Sequence, residues 1–367
     1  MKILTVIGAR PQFIKAIALS LAAGRRPDVT EVLLHTGQHY DENMSDVFFR
    51  DLGLPEPKYR FDLGGGSHAE MTGRQMIEIE KALATEMPDL CLVYGDTNST
   101  LAASLAAAKI HVPVAHVEAG LRSFNKRMPE EINRILTDHV STWLFAPTDS
   151  GVENLRREGF DMRRVHLVGD VMYEVARLFI DNPERRTEIA GRLGLAQGNY
   201  AIATLHRQEN TDSPDRLVAI LGALAAFSER MPVVLPLHPR TAKVVADNPE
   251  ATRHLEAIRS IEPVGFFDMA TLLSGSALAI TDSGGLQKEA YFYKVPCVTI
   301  RDETEWIELV EMGWNRLPGS IDRESILACM NDAIESPAGT SGEPYGRGDA
   351  ADLILDVLQS GQVSSAV

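Results

Sequence analysis

Two carboxylates sit where chemistry is expected. Asp96 follows the apolar run LCLVYG and Glu118 follows VPVAHV, so both should project from the carboxyl ends of strands that are consecutive in the chain and neighbours in a sheet. A carboxylate at a buried strand end needs a partner or a task, and two at one crevice suit general acid and general base work. Glu130 and Glu131 follow Pro129 at the head of EEINRILTDHV. Either they close over the same crevice from the loop carrying Arg122, Asn125, Lys126 and Arg127, or they only complement the positive end of a helix. His206 ends YAIATLH beside Arg207, and His238 in LPLHPR has the same setting one strand later; histidine titrates near neutrality and suits proton transfer or anion contact.

Phosphate chemistry is suggested elsewhere. TDSGGLQKE puts Ser283, Gly284 and Gly285 between a strand and a helix, where unhindered backbone N–H groups and a positive helix terminus make an anion site. Glu289, about one turn on, is placed for ribose hydroxyls, or is an exposed helix charge. Arg10 and Lys15 flank the first strand-to-helix turn as cationic contacts for a diphosphate. Phe266, Phe267 and Met269 open a helix and either wall a slot for a base or belong to the core. His35 and His39 are four apart, but the intervening TGQ breaks any helix, so a paired-histidine metal site is not expected. Gly64–Gly66 does not follow a strand and open a helix in this reading, and it is set aside as a phosphate loop.

The elements that must position these residues form two series. KILTVIG, EVLLHT, LCLVYG, VPVAHV, TWLFAP and VHLVG alternate with helical stretches to about residue 170; YAIATLH, VVLPLH, LAITD and CVTI follow in the same manner. Strand and helix alternating twice over predicts two doubly wound α/β domains with parallel sheets rather than one barrel. The expected division is 1–169 and 170–349, with a last helix at about 350–360 free to pack back on the first domain. DLGGGSH and SPAGTSGEPYGRG read as loops.

Composition narrows the class. The 367 residues carry 36 Lys and Arg against 51 Asp and Glu, a formal charge of −15 with no basic block, which argues against nucleic-acid and membrane partners. MKILTVIGARP has too brief an apolar run, ended by Arg10 and Pro11, for a signal peptide and fits a buried first strand. No 18-residue apolar run occurs. Three cysteines without a CxxC pair suit reduced thiols, and a cytoplasmic protein is expected.

With GARPQFIK (8–15), YGDTNST (94–100), HVEAGLRSFNKRMPEE (116–131), TDSGGLQKE (281–289) and RDETEW (301–306) in this order, the chain resembles the non-hydrolysing UDP-N-acetylglucosamine 2-epimerases over nearly its whole length. The resemblance implies the GT-B architecture, two Rossmann-like domains facing across a cleft. It implies Asp96, Glu118 and Glu130 as catalytic acids and bases. It implies Arg10, Lys15, His206, Ser283, Gly284, Gly285, Glu289 and Arg301 as contacts to UDP, His206 also aiding departure of the diphosphate. Arg122, Arg207, Phe267 and Met269 join the substrate contacts. A homodimer feeding cell-surface polysaccharide synthesis is implied as well.

The chemistry fits the residues. The C2 hydrogen of such a sugar has no adjacent carbonyl to acidify it, so inversion needs transient oxidation or loss of the anomeric leaving group, and the chain has no nicotinamide fingerprint. Loss of UDP develops oxocarbenium character, a carboxylate takes the C2 proton, and a 2-acetamidoglucal forms; UDP re-adds with protonation from the other face. The scheme calls for no metal and no cofactor. Basic Lys126 and Arg127 also suit a carboxylate on the sugar, as in the branch acting on UDP-2,3-diacetamido-glucuronic acid. Gln38, Arg74, Arg207 and His238 are compatible with a regulatory second substrate site. A GT-B glycosyltransferase, a UDP-sugar sensor and a hydrolysing epimerase are the rival readings.

Overall fold

The computed structural model describes residues 1–38, 54–336 and 339–361, with the Arg10 side chain excepted. His39 and the loop after it lie outside the described residues. The chain divides into two compact units, Met1–Arg177 with Glu343–Val367, and Leu178–Gly342.

The first unit holds one sheet of seven parallel strands: β1 Lys2–Ile7, β2 Thr30–His35, β3 Tyr59–Arg60, β4 Leu90–Tyr94, β5 Val114–Val117, β6 Trp143–Ala146 and β7 Val165–Leu167. Their order is β3-β2-β1-β4-β5-β6-β7. Every residue of β4 and β5 is buried, the continuous apolar reading of a strand covered on both faces. Leu4, Val6, Leu34, Cys91 and Val93 pack with Ile79, Leu83 and the alanine-rich helix Asn98–Lys109 into the core. Alanine carries almost no side-chain entropy and lets that helix lie close. Thr97 caps it through the Thr100 N–H.

The second unit has six parallel strands: β8 Ala201–Thr204, β9 Val233–Pro236, β10 Arg259–Ile261, β11 Leu278–Thr281, β12 Cys297–Thr299 and β13 Asn315–Arg316, ordered β10-β9-β8-β11-β12-β13. Its largest apolar cluster joins Ala203, Leu235 and Ile280 to Leu217, Leu221, Phe227 and Met330.

In each sheet the winding direction reverses once, between β1 and β4 and between β8 and β11, and open α/β sheets bind ligands at such points. Lys15 follows β1, Asp96 follows β4, His206 follows β8 and Ser283 follows β11. The doubly wound α/β class expected from the sequence is therefore observed in both units.

The division differs from the expected 169/170 and 349/350. Asp170 N–H donates to Tyr345 O at 3.0 Å, and Arg177 Nη1 to Arg347 O at 3.0 Å, so the segment after β7 and the returning chain hold each other in the first unit. The helix Ala350–Ser360 lies against the helix Arg10–Gly24, with Arg26 paired to Asp352 and Asp356 at 3.0 and 2.6 Å. The short strands β3, β10 and β13 have too few residues for a periodic signal. Gly64–Gly66 does lead from β3 into a helix, His68–Glu86, which Ser67 and Glu70 cap reciprocally.

Among the described residues, no helix is long and apolar enough to cross a membrane. Burial pushes the thiols of Cys91 and Cys297 up to about 12, which leaves them unreactive.

Candidate active site

β4 pairs with β5 in a register that sets Tyr94 beside Val117. Glu118 therefore stands one residue beyond its strand and Asp96 two beyond its own, at the same edge of the sheet. Glu118 has φ +77°, a left-handed conformation costing a non-glycine residue about 1–3 kcal/mol. It is held there because the N–H groups of Glu118 and Ala119 both donate to Phe145 O at 3.0 Å. The carboxylate is buried and forms a close ion pair with Lys15. Lys15, expected to face a diphosphate, is thus engaged by Glu118 here. Gly95, at φ +60°, forms the floor: a Cβ there would lie 3.1 Å from both Glu118 Oε2 and Lys15 Nζ.

Asp96 is about a third exposed and forms a close ion pair with Arg134, a buried residue of the helix Pro129–Val140. The other arm of Arg134 stands 3.2 Å from Glu131. Glu131 also accepts from Ser123 N–H and Phe124 N–H at 2.9 Å and from Ser123 Oγ at 3.0 Å. These contacts hold the loop, a role that neither sequence reading of that residue named. Glu130 is exposed at the helix start and has no polar partner among the described residues. Lys126 and Arg127 are exposed on the same loop without ion-pair partners among the described residues.

Arg122 corrects an expectation. Its Nε and Nη2 form a fork on Glu158 at 2.7 Å, and Nη1 contacts Leu121 O at 2.7 Å and Asp138 at 2.8 Å. With every arm engaged and the side chain buried, it braces the turn instead of presenting donors to a ligand.

In the second unit, Asp282 is fully buried and accepts from the N–H groups of His206 and Arg207 at 3.1 and 2.9 Å and from Asn210 at 3.2 Å. His206 Nδ1 stands 3.3 Å from Asp282, which orients the half-exposed ring. His238 is exposed at the start of the next helix, and its pKa is lowered by burial of the ring, by His206 and by Arg240.

Ser283 precedes the helix Gly284–Phe292. A Cβ on Gly284 would fall 2.5 Å from Glu305 Oε1, so a larger residue there would have to displace the Glu305 carboxylate from its pair with Arg301. Gly285 is exposed, and Glu289 is half-buried with its carboxylate over that first turn, 3.9 Å from a Cβ built on Gly285. Arg301 is buried and paired with Glu305 at 2.8 Å, so it supports the turn from behind. Met269 and Phe267 are both half-buried, Met269 packing against the core and Phe267 edge-on to Phe266 at 5.6 Å.

Gln38 and Arg74 both belong to the first unit: Gln38 accepts from Ser99 N–H at 3.0 Å at the head of the helix Asn98–Lys109, and Arg74 donates to Gly64 O and Gly65 O at 3.1 and 2.7 Å. His238 belongs to the other unit. Sequence reading missed Gln12, which is buried and joins Gly8 N–H (2.8 Å), Tyr94 O and Thr100 Oγ1 (both 2.9 Å), tying the turn after β1 to the end of β4. It also missed His116, Asp138, Arg134 and Asp282. All four stand in strings singled out above, His116 in HVEAGLRSFNKRMPEE, Arg134 and Asp138 in EEINRILTDHV and Asp282 in TDSGGLQKE, but only Asp282 carried a local signal, a charge at a strand end. Among the described residues no group of three or more metal-ligating side chains occurs.

A family model described as UDP-N-acetylglucosamine 2-epimerase matches residues 22–359. A UDP-2,3-diacetamido-2,3-dideoxy-D-glucuronate 2-epimerase from Pseudomonas aeruginosa is 50% identical over 98% of this chain and 99% of its own. The Methanocaldococcus jannaschii UDP-GlcNAc 2-epimerase in complex with UDP-GlcNAc and UDP superposes with a TM-score of 0.91 at 39% identity, over 98% of this chain and 100% of that one. The Neisseria meningitidis enzyme bound to UDP-GlcNAc gives 0.89 at 30%, over 98% and 100%. Two doubly wound parallel sheets with these neighbours define a GT-B-like α/β enzyme that acts on nucleotide sugars. The chain belongs to the UDP-N-acetylglucosamine 2-epimerase family and is a UDP-sugar 2-epimerase, an isomerase.

Proposed function

We propose that the protein interconverts UDP-N-acetylglucosamine and UDP-N-acetylmannosamine by elimination and re-addition of UDP. The observation that carries this is the pair of carboxylates at adjacent strand ends, Glu118 on Lys15 and Asp96 on Arg134. Each stands beside a cation at the end of its strand, where a sugar proton would have to be taken or returned. In the forward step the C1–O bond breaks with its electrons leaving on UDP, the C2–H bond breaks onto a carboxylate, and C1=C2 forms. The return step delivers a proton to the opposite face of C2 as UDP adds back to C1. Inversion requires two groups, drawn from Asp96, Glu118 and Glu130.

The nucleotide is assigned to the second unit. The N–H groups of Gly284 and Gly285 at the helix start take the diphosphate, Glu289 the ribose hydroxyls, and His206, oriented by Asp282, donates to the departing phosphate. Arg10, Arg207 and Phe267 complete the contacts to UDP in this reading, and Gln38, Arg74 and His238 are kept as candidates for a regulatory site. The working form is taken to be a homodimer supplying polysaccharide synthesis, as the family resemblance implies, and three cysteines without a CxxC pair suit a cytoplasmic setting.

A second reading, a 3-acetamido uronic acid as the sugar, is favoured by exposed Lys126 and Arg127, which have no ion-pair partner among the described residues, and by the 50% identical relative named for such a substrate. The test is incubation with each UDP-sugar alone, without acceptor or nicotinamide, with chromatography of the products. Conversion to the manno epimer with no free sugar supports the proposal. Free N-acetylmannosamine with UDP points to hydrolysis, and binding without turnover of either sugar points to a sensor or transferase.

A further inference from the structure

His116 is an anomaly in its strand: β5 reads VAHV, every residue is buried, and a polar ring there must have its hydrogen bonds met. Its Nδ1 lies 2.7 Å from Asp138 Oδ1 and its Nε2 2.8 Å from Gly95 O. Asp138, also fully buried, receives the Gly120 N–H on Oδ2 at 3.1 Å and Arg122 at 2.8 Å. Gly95 is the residue before Asp96, and Gly120 comes two residues after Glu118. One buried pair of side chains therefore grips both turns that carry the strand-end carboxylates, one from each end of the couple.

We infer that His116 and Asp138 are positioning residues that set the spacing between Asp96 and Glu118. The inference rests on the assignment of those two as the acid/base groups. A carbonyl only accepts, so Nε2 carries a hydrogen toward Gly95. Asp138 already accepts from Gly120 N–H and from Arg122 on Oδ2, and with Oδ1 of that carboxylate 2.7 Å from Nδ1 the ring is placed to donate there as well. One bond to Gly95 O, and one to Asp138, which in turn holds Gly120 N–H, fix the Gly95 peptide, the floor under the Glu118–Lys15 pair, relative to Gly120. A shift of about 1 Å in such a spacing is enough to cost on the order of a hundredfold in rate.

The two natural amides separate the two bonds. His116→Gln keeps a donor toward Gly95 O and loses the one to Asp138; His116→Asn keeps the donor toward Asp138 and loses the one to Gly95. Each is expected to lower kcat about ten- to a hundredfold while KM and the Kd for UDP hold, and to raise the share of 2-acetamidoglucal and UDP released free, because proton return fails more often. A role in folding alone predicts a lower Tm with kcat per folded molecule unchanged, and that result overturns the inference. If neither variant folds, nitrogen-15 NMR of histidine-labelled wild-type protein decides: a buried ring with two slowly exchanging N–H protons supports the inference, and one with a single N–H overturns it. Wild-type turnover is the separate control: its absence defeats the epimerase reading, whereas an active wild type with fully active variants defeats the positioning role only.

Discussion

Asp96 and Glu131 are held on one guanidinium, with Arg134 in close contact with Asp96 through Nη2 and 3.2 Å from Glu131 through Nη1. Glu131 in turn anchors Ser123 and Phe124. The loop carrying Lys126 and Arg127 is thereby linked to a proposed acid/base group. Arg134→Lys keeps the charge and loses the two-armed geometry. Turnover should fall at least about tenfold with UDP affinity retained, as steady-state kinetics and calorimetry would show; wild-type kcat would mean that the bridge has no bearing on Asp96.

Glu130 and Glu131 are adjacent in sequence and opposite in setting. Glu130→Gln should leave Tm unchanged and cut kcat about a hundredfold, as loss of an acid/base group does. Glu131→Gln strands loop amides and one arm of Arg134, so it should cost about 1–3 kcal/mol of stability, read from denaturant midpoints. Equal stability for both variants would contradict the structural division of labour.

Lys126→Ala combined with Arg127→Ala discriminates the sugar. If the loop reads a carboxylate, the double variant keeps its rate on UDP-N-acetylglucosamine and loses it on the diacetamido-glucuronic substrate. Equal losses on both substrates would remove the loop from recognition of the acid.

The strand ends were visible from sequence because fully buried parallel strands read as apolar runs, and Asp96 and Glu118 interrupt two of them. The anion turn was visible because Gly284 and Gly285 separate a strand from a helix. The partners were not visible. Arg134 is 38 residues from Asp96, and Glu158 is 36 from Arg122, so nothing local tells a brace from a ligand contact. For the same reason the sequence does not show that Arg122 and Arg301 are buried ion-pair partners, or that one side of half-buried Met269 packs against the core. His116 was hidden by its own strand, where a single polar letter among valines carries no indication of what it faces.

A pH effect on stability follows from His35. Its ring is buried against Phe13 at 4.9 Å, and burial first and Arg60 second lower its pKa from 6.5 to about 4. The folded state then binds fewer protons than the unfolded state between those values. The contribution of the neutral ring is complete above 6.5 and is lost as pH falls toward 4, at no more than about 1.4 kcal/mol per pH unit. Denaturation at pH 7, 6 and 5 should show a shallower decline for His35→Asn than for wild type; parallel curves would contradict this.

The central claim is proton removal at C2 followed by return. Proton NMR of the protein with UDP-N-acetylglucosamine in deuterated water tests it most directly. The account predicts a manno epimer carrying deuterium at C2 and slower exchange into the recovered gluco sugar. A manno epimer that keeps its original C2 hydrogen, or no exchange while UDP still binds, would contradict it.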